Sequence, residues 1–162
     1  MSSKLIILRG NSGSGKTTIA KLLQNELGSG SMLVSQDVIL REMLRVSDEA
    51  NNPAVQLIYD LCMYGSKIGY TVILEGILIK QKYGTMLKKL LEDFDGQKHV
   101  YYFDIPFDET VRRHAAKPNS HEFGEKEMKE WWQDKDYLEL EGERIINESM
   151  SQERIINFIK SP

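Results

Sequence analysis

The sequence predicts an α/β protein in which helices cover both faces of a parallel sheet, and three observations predict it. Short aliphatic runs alternate with stretches of helical periodicity. Glycines and polar clusters punctuate the junctions. The first apolar run leads through a glycine-rich turn straight into an amphipathic helix. Such alternation makes parallel strands joined by helical crossovers, and ligands of these sheets sit at the carboxyl ends of the strands.

Each element has its own justification. Residues 4–9 (KLIILR) are a short aliphatic run followed by glycine, the pattern of a strand buried on both faces. Residues 16–27 set Ile19, Ala20, Leu22, Leu23 and Leu27 on one stripe, and Gly28 ends that helix. Residues 32–35 read as a second strand, after which Asp37 caps a helix reaching about Val46, with Val38, Leu40, Met43 and Leu44 apolar. Pro53 stands near the start of a helix that continues to Lys67, closed by Gly69. Residues 70–74 (YTVIL), β-branched and aromatic, make a third strand. A helix over 83–94 and a strand over 100–103 (VYYF) follow. Helices over 107–116 and 125–132 flank a break at 119–124. A weak fifth strand at 144–147 precedes a last helix, 152–160, capped by Ser151.

Composition narrows the function. The 162 residues fit one domain, 1–162, large enough to build a core without metal or disulfide staples. With 21 Lys+Arg against 24 Asp+Glu the net charge is −3, which argues against a nucleic-acid coat, so no nucleic-acid partner is expected. Cys62 alone excludes an internal disulfide and suits a reducing compartment. The start carries four consecutive apolar residues, Leu5 to Leu8, too few for a signal segment or a membrane span. A cytoplasmic protein with no membrane partner, monomer or homodimer, is the expectation.

The turn after the first strand carries chemistry. Gly10, Asn11, Ser12, Gly13, Ser14, Gly15, Lys16 and Thr17 fit G-x-x-x-x-G-K-[ST], with Thr18 next in the chain. Glycines let the backbone wrap so that successive N–H groups converge on phosphate oxygens. The following helix adds the positive end of its dipole. The Lys16 ammonium then reaches the β- and γ-phosphates, and the Thr17 hydroxyl ligates Mg²⁺. The motif follows a predicted strand and opens a predicted helix, as its mechanics require. ATP and Mg²⁺ are therefore the expected ligands.

With these residues the chain resembles the small P-loop kinases of adenylate-kinase type. Two further stretches are similar to theirs: residues 72–76 (VILEG), a strand ending in an acid and glycine, and residues 102–113 (YFDIPFDETVRR), a strand, a D-x-P turn and the helix leading to a mobile lid. The resemblance implies a three-layer fold with a five-stranded parallel sheet of order 2-3-1-4-5 and a short helical lid over about 112–132. It implies that Glu75 supports a Mg²⁺-bound water, and that Arg112 or Arg113, with Lys117 a turn beyond, closes over the transferring phosphoryl group. Asn147 and Ser149 border adenine by the same likeness. Against a lid role, Glu109 stands four residues before Arg113, the spacing of an ordinary surface pair.

Asp37 separates two kinds of kinase. A phosphate acceptor needs arginines to clamp it, whereas a hydroxyl acceptor needs a carboxylate to position it and take its proton. Beyond Glu75-Gly76 come Ile77, Leu78, Ile79 and Lys80, so the clamping arginine of monophosphate kinases is missing, and Lys80 is a poor substitute. Ser35-Gln36-Asp37 resembles instead the zeta-toxin and chloramphenicol-phosphotransferase branch, which places a catalytic Asp after the second strand. Asp37 is then the base, and Arg41 and Arg45 border the pocket of a small-molecule hydroxyl acceptor. A helix cap, or an ion pair with Arg41, is the competing role of Asp37. A nucleoside or nucleotide kinase, and a nucleotide-gated binding module or slow hydrolase, are the competing functions. His114 and His121 read as polar lid residues, one of Trp131 and Trp132 as core, one ring of Tyr101 and Tyr102 as interior, and Cys62 as core.

Overall fold

The computed structural model describes residues 2–118 and 120–162. Five strands, β1 (Lys4–Gly10), β2 (Ser31–Ser35), β3 (Thr71–Gly76), β4 (Gln97–Asp104) and β5 (Arg144–Asn147), pair in parallel in the order β2-β3-β1-β4-β5. The helices are α1 (Lys16–Leu27), α2 (Gln36–Val38), α3 (Pro53–Lys67), α4 (Lys80–Asp93), α5 (Phe107–Ala115), α6 (Glu125–Trp131) and α7 (Gln152–Lys160). A π-helical stretch, Ile39–Leu44, continues α2.

The two-residue period of the strands sorts the core onto two faces. Leu5 and Ile7 of β1 join Val72 and Leu74 of β3, Ile58 and Cys62 of α3, and Tyr83, Leu87 and Leu90 of α4. Ile6 and Leu8 turn the other way, onto Ile19 and Leu23 of α1 and Ile155, Ile156 and Ile159 of α7. The apolar run of β1 thus has no solvent face, as its sequence requires. The same coverage buries both Tyr101 and Tyr102, at 0% and 2% exposure, where alternation alone had suggested one interior ring. Cys62 is core, as expected.

Several boundaries differ from the sequence expectation, each for a physical reason. Asp37 does not cap its helix: Ser35 holds the cap position and Asp37 lies in the first turn. Beyond Val38 the helix widens into the π form, ended by Arg45 at φ 55°. β3 runs on through Glu75 and Gly76, pairing with Leu8 and Arg9. α4 begins at Lys80 instead of Tyr83, because Asp136 Oδ2 accepts from the Lys80 backbone N–H at 2.8 Å. His114 is no polar rim residue. It is 5% exposed, bonds the Phe123 carbonyl at 2.7 Å and stacks on the Phe123 ring. Neither Trp131 nor Trp132 is fully buried; they lie edge-on against Phe123 and Phe107. Among the described residues no helix is long and apolar enough to cross a membrane.

Candidate active site

The turn after β1 builds the site. Gly13 and Gly15 take φ of 80° and 97°, the left-handed region that glycine enters freely. Space demands glycine too, since a Cβ at Gly13 would stand 2.6 Å from the Thr110 carbonyl oxygen. No side chain caps the first amides of α1, so they face the turn. Ser14 is 1% exposed, and its Oγ has no hydrogen-bond partner among the described residues. Lys16 is buried at the floor, donating from Nζ to the Asn11 carbonyl at 3.1 Å. Burial pushes its ammonium down to about 8, with Glu75 opposing, Lys117 adding to the fall and Asp37 opposing. A buried cation, an orphaned hydroxyl and free helix amides in a glycine cradle fit a polyphosphate.

The Thr17 hydroxyl donates to Glu75 Oε1 at 3.0 Å, and Ser35 Oγ donates to Glu75 Oε2 at 2.7 Å. Glu75 is 2% exposed, so α1, β2 and β3 meet at one buried carboxylate. Hydroxyl and carboxylate oxygens are the donor set that Mg²⁺ prefers beside phosphates. Three or more His, Cys, Asp or Glu side chains that could hold a metal by themselves do not occur among the described residues. Glycine at 76 is enforced by Gln36: a Cβ there would lie 2.4 Å from Gln36 Oε1, which accepts the Leu78 N–H at 2.9 Å.

The structure separates the two arginines. Arg113 Nη1 donates to the Ser14 carbonyl at 3.0 Å and Nε to Glu109 Oε1 at 2.9 Å, which sets the guanidinium against the phosphate turn. Arg112 grips Glu109 from outside, its side chain 73% exposed against 26% for Arg113. Arg112 first, then Arg113, holds the Glu109 carboxyl down to about 2. Lys117 is half-buried; desolvation lowers its ammonium, Glu75 opposes and Arg113 adds to the fall.

Asp37 lines an open cleft with Val38, Arg41, Glu42 and Glu122. It pairs with Arg41 Nε at 2.7 Å, yet its charge also reaches Lys16. Arg41 borders the cleft, while Arg45 is exposed and lies outside its lining. Thr18 is exposed, and Ser12 is half-buried in the turn. Asn147 Oδ1 accepts from the Ser149 N–H at 3.0 Å, closing a local turn after β5.

Sequence reasoning missed Arg9. It is 0% exposed and donates to the Leu78 carbonyl from Nη2 at 2.8 Å and to Asp136 Oδ2 at 2.8 Å. Its neighbour Asn11 clasps Gln133 through both amide atoms, Nδ2 to the carbonyl at 2.7 Å and Oδ1 from the N–H at 2.8 Å. Asp104, the acid of the D-x-P turn after β4, binds Lys135 at 2.9 Å and accepts from the Tyr137 hydroxyl at 2.8 Å. The chain returning from α6 is thus fastened to the phosphate turn. The available signal was a charge at the end of a strand with no solvent face.

A family model described as an AAA domain matches residues 5–139. No curated protein matches the chain in sequence. Solved structures match it closely in shape. The APS kinase of Mycobacterium tuberculosis, in complex with AMPPNP and APS, is 16% identical with a TM-score of 0.73, over 98% of this chain and 96% of that one. A sugar kinase from Janibacter sp. HTCC2649 is 18% identical with a TM-score of 0.65, over 98% and 92%. The shikimate kinase of Acinetobacter baumannii, in complex with shikimate, is 15% identical with a TM-score of 0.61, over 99% and 92%. These likenesses establish the fold, that of the P-loop kinases.

Proposed function

Because the chain belongs to the AAA domain family and folds as the P-loop kinases do, we propose that it transfers the γ-phosphoryl group of ATP to a hydroxyl of a small molecule. One observation supports this most: the Lys16 ammonium, buried at the floor of the glycine turn, lies in the fields of both Glu75 and Asp37, and Asp37 lines an open cleft. The turn amides and Lys16 hold the phosphates. Thr17 and Glu75 would hold Mg²⁺, which would supply charge neutralisation to the phosphates when bound. Asp37 orients the acceptor hydroxyl. The acceptor oxygen bonds to the γ-phosphorus, the bond from that phosphorus to the bridging oxygen breaks, and its electron pair leaves on ADP. The acceptor proton passes to the Asp37 carboxylate and then to water. Arg113, with Lys117, meets the charge on the transferring group, α5 and α6 forming the lid.

The position of Asp37 after β2 supports a place near the zeta-toxin and chloramphenicol-phosphotransferase branch. A nucleotide-kinase reading is disfavoured by the guanidinium of Arg41, already engaged by Asp37. Asp37→Asn tests the proposal. Transfer falls by about a thousandfold while calorimetric affinity for Mg·AMPPNP is kept. Unchanged turnover removes Asp37 from the mechanism. Nucleotide binding without transfer to any acceptor would make the chain a binding module instead.

A further inference from the structure

The phosphate turn touches the lid at several points. A Cβ at Gly13 would stand 2.6 Å from the Thr110 carbonyl oxygen of α5 and 3.1 Å from Met128 Cε of α6. The Ser14 carbonyl accepts from Arg113 of α5. Asn11, 6% exposed, reaches just past the end of α6, where Nδ2 donates to the Gln133 carbonyl and Oδ1 accepts the Gln133 N–H. One planar amide, with donor and acceptor side by side, thus matches the two main-chain groups of one residue. The main-chain carbonyl of Asn11 faces inward instead. It accepts from the Ser14 N–H at 3.2 Å and from Lys16 Nζ at 3.1 Å. A turn with glycine at 10, 13 and 15 has little stiffness of its own, so a side chain anchored outside it decides where that carbonyl stands. The anchor is itself fixed, because Arg9 holds Asp136 and Asp104 holds Lys135. An ammonium with one N–H on the Asn11 carbonyl keeps two for phosphate oxygens.

We infer, building on the nucleotide site of the kinase reading above, that Asn11 is a positioning residue that joins Lys16 to the lid. Its side chain takes no phosphate oxygen, since both amide atoms are engaged on Gln133. Phosphates that draw in the turn amides and Lys16 also still the Asn11 carbonyl. The clasp carries that order to Gln133 and so to α6, two residues before it. Filling the phosphate turn thereby steadies the lid that bears Arg113.

Amide hydrogen exchange with saturating Mg·AMPPNP tests this without any acceptor. In the native protein the nucleotide slows exchange in α1 and in α6 by about tenfold or more. Asn11→Asp keeps the side-chain shape but sets a carboxylate oxygen against the Gln133 carbonyl; Asn11→Ala removes the clasp and adds no charge. Each variant keeps the slowing in α1, loses most of that in α6, and binds Mg·AMPPNP about tenfold more weakly by calorimetry. Gln133→Ala, whose main chain still makes the clasp, behaves as the native protein. A purely structural role would shift exchange equally with and without nucleotide. Asn11→Ala decides the matter where Asn11→Asp does not fold. Slowing in α6 that survives in Asn11→Ala, or that is lost in Gln133→Ala, overturns the inference and leaves the kinase reading standing, because that reading is tested by transfer. Native protein that binds no Mg·AMPPNP removes both.

Discussion

Lys16 carries the plainest consequence of burial. Its ammonium titrates near 8 in place of its ordinary 10.5, because the floor of the site takes it out of water. In the free protein that charge costs stability below pH 8. The cost is relieved as pH rises toward 10.5, where the unfolded chain still binds the proton and the folded one does not. Polyphosphate placed against the ammonium should push its pKa back up. Calorimetry at about pH 8.5, in buffers of unequal ionisation enthalpy, should therefore show uptake of a large fraction of one proton per Mg·ATP bound. Zero uptake would mean that the phosphates do not contact Lys16. The phosphate turn was legible because its mechanics dictate four positions within eight consecutive residues. Arg112 and Arg113 were not separable, since neighbours on a helix point about 100° apart and only the seat of α5 decides which one faces inward.

Among elements, those with local punctuation fell where the sequence put them. α1, α3 and α7 keep their expected bounds, because Gly28, Pro53 and Ser151 act on adjacent backbone. α4 did not, because the carboxylate at its start belongs to Asp136, 56 residues away. The π-helical stretch was equally hidden, since its apolar residues satisfy a helical stripe of either pitch. The irregular return from α6 offered no period at all, although Arg9 and Asn11 fasten it by hydrogen bonds to Asp136 and Gln133. Arg9→Met should cost about 3–5 kcal/mol in urea unfolding, by leaving the Leu78 carbonyl without its Arg9 donor and the Asp136 carboxylate without its cation, held among the described residues by the Lys80 N–H alone. A loss under about 1 kcal/mol would show that the guanidinium is dispensable to the fold.

At the scale of the whole molecule, one sheet separates two apolar clusters, and the site lies where α1, β2 and β3 share the Glu75 carboxylate. A ligand seated there touches the sheet, α1 and α5 together, so its binding should be felt as global stability. Mg·ATP at about a hundred times its Kd adds roughly 2.7 kcal/mol, which for this chain length raises Tm by about 5–11 °C. Lys16→Met should abolish the rise, and a rise that persisted would locate the nucleotide elsewhere. The clasp of Asn11 on Gln133 and the pairing of β5 with β4 have a further consequence. The last third of the protein is kept in place by its own bonds and not by the covalent thread running through the α5–α6 turn. That turn is accordingly a natural seam, where a reporter or a foreign module could be spliced in without parting the halves it joins.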